Sequence, residues 1–186
     1  IPLQISRLKK LTFAEQKQVI RYWLLQQKFS LPSEDKLANL LHVFLTAQED
    51  RNPLVTWGQV VIRRYQDALI ASQVVTEHDA RQIFSWDMSA DLVIESLGLT
   101  LQVERAIGLG IKIFPGQKAE IRFWCGDEHV YLARRQGGRS LKKCFQEWRV
   151  PVWERNRIPL LYIDNALAAI VGYGVCEGFL VDANEN

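Results

Sequence analysis

The chain has 186 residues, of which 48% are hydrophobic, 24% charged and 10% aromatic. Those proportions exclude collagen-like, disordered and disulfide-framework classes, and the length suffices for one domain or two small ones, each with a real core. The formal charge of +2 points to no partner by itself.

Thr12-Phe13-Ala14-Glu15 has the form of a capping box, and Val19, Ile20, Trp23 and Leu24 follow at helical spacing. The spacing predicts a helix to about Lys28, interrupted by Leu31-Pro32. Ser33 can cap a second helix carrying Leu37, Leu40, Leu41, Phe44 and Leu45 on one side. Both stripes are read as core. After Asn52-Pro53 the runs Leu54–Trp57, Val60–Tyr65 and Leu69–Ser72 are rich in Val, Ile, Trp and Tyr, the pattern of a hairpin or meander. Arg63 and Arg64 are adjacent in it, so strand alternation sends one to each face. Residues 76–79 are the expected linker.

Downstream, Ile83–Trp86, Leu92–Ile94, Leu99–Val103 and Ala119–Trp124 read as strands, with Gly98, Gly108, Gly110 and Gly116 as turns or bulges. Ser140 can cap a short helix through about Trp148. Pro151 and Pro159 bracket a compact turn, and Leu160–Ile163 and Leu167–Val171 return as strands around Asp164-Asn165. The expected fold class is therefore α+β. A small helical domain ending in a β-hairpin (1–75) precedes a mixed, mostly antiparallel β domain with one short helix (76–186).

Charge is divided unevenly along this frame. Residues 1–75 carry +4, 76–133 carry −4, 134–157 carry +6 and 158–186 carry −4. The +6 segment holds Arg134, Arg135, Arg139, Lys142, Lys143, Arg149, Arg155 and Arg157 against only Glu147 and Glu154. A focused cluster of this kind binds phosphate through counterion release. Gly137-Gly138 would let backbone approach an anion, and the helix start at Ser140 offers free amides. The bland reading of the same charges is a solvated network with acidic neighbours. Glu147 and Glu154 are read as intramolecular partners of those cations. Arg63, Arg64 and Tyr65 form a weaker second candidate. Trp148 and Trp153 could stack on a base but are more simply core.

No catalytic constellation stands out. His42, His78 and His129 have no second ligand at metal spacing, and Cys125, Cys144 and Cys176 form no C-x-x-C pair. Gly108-Leu109-Gly110 lacks the rest of a dinucleotide fingerprint, and Gly137-Gly138-Arg139-Ser140 is not a P-loop. An odd, sparse cysteine set suits a reducing compartment. There is no apolar run of about 18 residues and no signal-like start, so the expected location is the cytoplasm, away from membranes.

The run Gly137-Gly138-Arg139-Ser140-Leu141-Lys142-Lys143-Cys144-Phe145-Gln146-Glu147, followed by Val150-Pro151-Val152-Trp153-Glu154-Arg155-Asn156-Arg157-Ile158-Pro159-Leu160-Leu161, resembles the C-terminal domain of tRNA(Ile)-lysidine synthetases. That family carries a GGRSxSLKKxFQE-like stretch and then VPxWxRxRxPLL. Here Arg139-Ser140-Leu141 lacks the extra residues, and Cys144 falls at a variable position. The ending Ala169 to Gly174 also resembles the family's closing segment, and the helices and hairpin before residue 75 resemble its middle, substrate-binding domain.

The resemblance implies a protein that ligates lysine to the first anticodon cytidine of a minor isoleucine tRNA. ATP and Mg act in an N-terminal domain with an SGGxDS loop, which this sequence does not contain. Together with the non-methionine start, Ile1, this reads as the tRNA-recognising C-terminal portion, inactive alone, with no cofactor of its own. In the family the last domain contacts the acceptor end. Expected RNA contacts are Arg134, Arg135, Arg139, Ser140, Lys142, Lys143, Arg149, Arg155 and Arg157, with Arg63 and Arg64. Whether the chain forms a homodimer stays open. The competing readings are a non-enzymatic module docking an acidic protein partner, and a free-standing enzyme using Cys144 or Cys176.

Overall fold

The computed structural model describes residues 2–47, 53–74, 78–104, 110–114 and 116–181. Two compact units emerge, 1–75 and 76–186. The sequence expectations at Asn52, Thr76, Glu77, Gly108 and Leu109 fall outside the described residues.

The first unit begins with β1 (Leu3–Gln4) and a single turn, α1 (Ile5–Leu8), neither of which has enough residues to show a period in the sequence. α2 (Phe13–Gln26) starts on the expected capping box: the Thr12 side chain accepts from the Glu15 N–H, and the Thr12 N–H donates to Glu15 Oε2 at 2.7 Å. α3 (Glu34–Thr46) is capped by Ser33, whose hydroxyl accepts from the Lys36 N–H. Leu37, Leu40, Leu41 and Phe44 recur at three and four residues and are fully buried, so the stripe turns inward as read. It meets Ile20, Trp23 and Leu24 of α2 and one face of a sheet. That sheet is formed by β2 (Leu54–Trp57), β3 (Val60–Tyr65), β4 (Ala68–Gln73) and β1, in the antiparallel order β1-β4-β3-β2. Of the two patterns expected, hairpin or meander, the meander forms, with an added N-terminal edge strand.

The second unit is built on an antiparallel five-stranded sheet. In chain order its elements are β5 (Phe84–Trp86), the ribbon β6 (Leu92–Ile94) and β7 (Leu99–Leu101), β8 (Ala119–Phe123), and a second ribbon, β9 (His129–Val130) and β10 (Arg139–Ser140). Then come α4 (Leu141–Glu147), α5 (Val152–Arg155), β11 (Pro159–Ile163), β12 (Ala166–Ile170) and β13 (Gly174–Val175), and the main sheet runs β13-β12-β11-β8-β5. Asp164 and Asn165 both take positive φ, 47° and 66°, the primed turn that matches strand twist.

β11 shows why the sheet is buried on both faces. Leu160 joins a cluster with Leu141, Cys144 and Phe145 of α4, while Leu161 and Ile163 point to Ile94, Leu101 and Ile121 on the other side. One correction follows for the expected single helix: the segment between Pro151 and Pro159 contains α5, and Glu95–Leu97 adds a 3₁₀ turn. Neither is long enough to display helical periodicity.

Candidate nucleic-acid interface

The basic segment folds into a ribbon, a helix and a turn of the second unit. β9 and β10 pair Val130 with Arg139 and His129 with Ser140, so the loop between them carries Arg134 and Arg135. α4 follows directly and places Lys142 and Lys143 in its first turn, both exposed. Arg149 sits just past the C-terminus of α4. There the Arg149 N–H donates to the Gln146 carbonyl at 3.0 Å and the Val150 N–H to the Phe145 carbonyl at 2.8 Å. Those two bonds form a Schellman motif, with Val150 and Phe145 making its buried apolar contact. The motif puts Arg149 in the left-handed region at φ 56°, and Arg134 is similar at 63°. An arginine occupies a position where glycine would cost least.

Glu147 organises the inner part of the patch. Its carboxylate accepts from Arg139 Nη1 at 2.9 and 3.1 Å and from Arg135 Nη1 at 3.0 Å, tying the ribbon loop to the last turn of α4. The partner role expected of Glu147 is therefore observed. Each pair is half exposed and contributes little energy, about 0.2–1 kcal/mol; its effect is to fix two guanidiniums in place. Among the described residues Arg134, Lys142, Lys143 and Arg149 are exposed and have no acidic partner. Lys142 and Lys143 lie at the positive end of the helix dipole, with no acid in that first turn. Two cations there are mildly unfavourable for the isolated fold, and a bound anion would reverse that.

Four expectations change. Arg155 is 5% exposed and its Nε donates to the Val150 carbonyl at 3.1 Å, anchoring α5. Arg64, 4% exposed, lies on the helix-facing side of β3 and donates to the carbonyls of Ala47 at 2.7 Å and Gln66 at 3.0 Å and, more weakly, of Phe44 at 3.5 Å. Both arginines hold main-chain acceptors together and are out of a phosphate's reach. Arg63, on the opposite face, is half-buried. The Ser140 side chain makes no cap, and the first amide of α4, that of Leu141, already donates to the Glu128 carbonyl at 2.8 Å. Finally, Gly138 is required by Tyr131: a Cβ there would lie 2.6 Å from its ring. The glycine admits an aromatic ring rather than an anion. Tyr131, 58% exposed beside the basic loop, carries no charge or motif that would have singled it out in the sequence.

The two tryptophans differ. Trp148 is half-buried, stacked on Tyr173 at 4.9 Å and edge-on to Phe145 at 6.1 Å, so it closes the core under α4 as the simpler reading held. Trp153 lines an open cavity with His78, Asp79, Val152, Asn156 and Arg157. This brings Arg157, half-buried, beside residues some 80 positions earlier.

The two cysteines of the free-standing-enzyme reading do not suit nucleophilic chemistry. Cys144 and Cys176 are buried, and burial pushes the Cys176 thiol up to about 11 and Cys144 above its usual value. Among the described residues no group of three His, Cys, Asp or Glu side chains could hold a metal ion, and no helix is long and apolar enough to cross a membrane.

Comparison with known proteins covers both units. The model of the TilS substrate binding domain matches residues 3–70, and that of the TilS substrate C-terminal domain matches residues 119–186. A tRNA(Ile)-lysidine synthase of Coxiella burnetii is 36% identical over 184 residues, 98% of this chain and 41% of that protein. Those of Legionella pneumophila (strain Lens) and Photobacterium profundum are 33% and 34% identical, over 95% and 88% of the chain and 40% and 38% of theirs. The chain thus spans about two-fifths of the length of these curated relatives. Two domain models of one family together match most of the residues, and the chain belongs to the TilS family of tRNA(Ile)-lysidine synthases, of which it carries the substrate-binding and C-terminal domains.

Proposed function

We propose that this chain is the tRNA-recognising part of an enzyme that uses ATP to ligate lysine to the anticodon cytidine of a minor isoleucine tRNA in the cytoplasm. The single observation that carries the reading is the set of exposed cations on the β9–β10 loop and α4 that have no acidic partner among the described residues, inside the segment matched by the family's C-terminal domain. A folded RNA is recognised through its backbone and shape, and cations held at fixed spacing on a rigid ribbon and helix suit that task. Arg134, Lys142, Lys143 and Arg149 are the proposed phosphate contacts, and Arg135 and Arg139 stand behind them, held by Glu147. Arg63 is a weaker contact of the first unit. ATP, Mg and lysine are proposed as ligands of the enzyme's catalytic part, and no step of the ligation is assigned to residues of this chain.

A gel-shift titration of the chain against isoleucine tRNA at physiological salt tests the reading. Binding that weakens in the Lys142→Ala/Lys143→Ala variant is expected. Undiminished binding in that variant would remove the patch from the interface. A pull-down partner that survives nuclease treatment and needs the same lysines would instead select docking of an acidic protein.

A further inference from the structure

The cavity in the second unit is not explained by the cation patch. It measures about 660 Å³ and is walled on one side by Val152, Trp153, Asn156 and Arg157, which lie on one face of α5 and the turn after it, and on the other by His78 and Asp79. That volume accommodates a small ligand with room for water. His78 is held firmly: its ring packs edge-on against Phe123 at 4.1 Å, and Nδ1 lies 3.3 Å from Ser96 Oγ. Its Nε2, by contrast, is buried with no hydrogen-bond partner among the described residues. An orphaned buried nitrogen beside a cavity is costly unless something in the cavity completes it. Burial and the Arg157 charge both keep this imidazole neutral, against the opposing pull of Asp79.

The lining therefore combines one cation, one carboxylate, a neutral imidazole, an amide and an indole. Asp79 Oδ1 accepts the Arg81 N–H at 2.9 Å, which fixes the carboxylate and leaves Oδ2 for a ligand donor. A run of phosphodiester backbone does not suit this set, because a second phosphate would face the Asp79 carboxylate. A ligand with a single phosphate, two adjacent hydroxyl donors and a planar ring suits it well. Carboxylates accept from ribose hydroxyls, guanidiniums pair with phosphate and indoles stack on bases. In a polynucleotide only the 3′-terminal residue has free vicinal hydroxyls.

We propose that this cavity takes the 3′-terminal ribonucleoside of the bound RNA, its diol on Asp79, its phosphate on Arg157, its base against Trp153 and one polar group on His78 Nε2. This rests on the tRNA-binding reading above and adds a site to it. The test is binding of the 186-residue chain to three forms of isoleucine tRNA: intact, shortened by its last nucleotide, and ending in a 2′,3′-dideoxynucleoside. The wild-type chain should bind the two altered forms about ten-fold more weakly or worse. Asp79→Asn keeps the hydrogen bond to Arg81, and His78→Phe keeps the ring on Phe123, so both variants should fold. Asp79→Asn should no longer distinguish the intact from the dideoxy end, and His78→Phe should bind the intact form less tightly while leaving the shortened form unchanged. Equal binding of all three forms by the wild type would overturn the proposal while leaving the cation patch intact. Failure to bind any of them would overturn the tRNA reading and this site with it. Micromolar binding of free AMP with no dependence on the tRNA end would reassign the cavity to a free nucleotide.

Discussion

Replacing Lys142 and Lys143 with alanine removes two of the four exposed cations on the β9–β10 loop, α4 and the turn after it that have no acidic partner among the described residues. Neither side chain packs in the core, because the buried positions of α4 are Leu141, Cys144 and Phe145, and alanine is a good helix former. Removing positive charge from the first turn relieves an unfavourable dipole interaction, so the fold should be as stable as before or slightly more so. Binding should respond in the opposite sense. Counterion release gives a log–log salt slope of about 0.7–0.9 per neutralised phosphate. Four contacts then predict a slope of about −2.8 to −3.6, a loss of about 50- to 150-fold between about 50 and 200 mM salt. Two remaining contacts predict about −1.4 to −1.8 and a loss of only about 7- to 12-fold. Fluorescence anisotropy of labelled isoleucine tRNA across a salt series measures both slopes, and thermal melting monitors the fold. An unchanged slope with a native melting curve would refute the assignment of these lysines as phosphate contacts.

Other substitutions separate stability from binding. Arg64→Ala should destabilise the first unit by about 1–3 kcal/mol in denaturant titration, since it strips two part-buried carbonyls of their donor, yet leave the salt slope as it was. Arg149→Gly should stabilise by about 0.5–1 kcal/mol, because glycine accepts the left-handed backbone at this Schellman position; the same change should flatten the salt slope by about one unit. For His78, whose pKa lies below the ordinary 6.5 through burial and the Arg157 charge, the unfolded chain takes up the proton first as pH falls. The stability this group contributes is present above about pH 6.5 and is lost toward its folded value. His78→Phe should flatten that part of a pH–stability profile measured by chemical denaturation between about pH 7 and 5.

Where a sequence pattern was legible, several signals coincided. In α2 and α3 the apolar stripe, the polar cap and the preceding break agree on one boundary, and at Asp164-Asn165 two residues tolerant of positive φ separate two apolar runs. The charge division was legible too, because 134–157 is contiguous in the chain. What alternation could not tell is how Arg64 would be satisfied. It places the side chain on one face of β3, but only the folded chain brings the ends of α3 and the β3–β4 turn, with the carbonyls of Ala47 and Gln66, within reach. Ribbons of two residues, such as β9 and β10, are too short for a period, yet they set where Arg134 and Arg135 emerge. The cavity was illegible for a related reason: His78 and Asp79 meet the 152–157 segment only through the topology of the sheet between them.

The central claim, that the basic ribbon and helix form the face that meets tRNA, is tested most directly by photo-crosslinking the chain to isoleucine tRNA and mapping the attached peptides by mass spectrometry. The account predicts adducts concentrated between Tyr131 and Arg149, with a second group at His78 and Trp153. Adducts confined to other surfaces, such as the exposed faces of α2 or of β6 and β7, would contradict it.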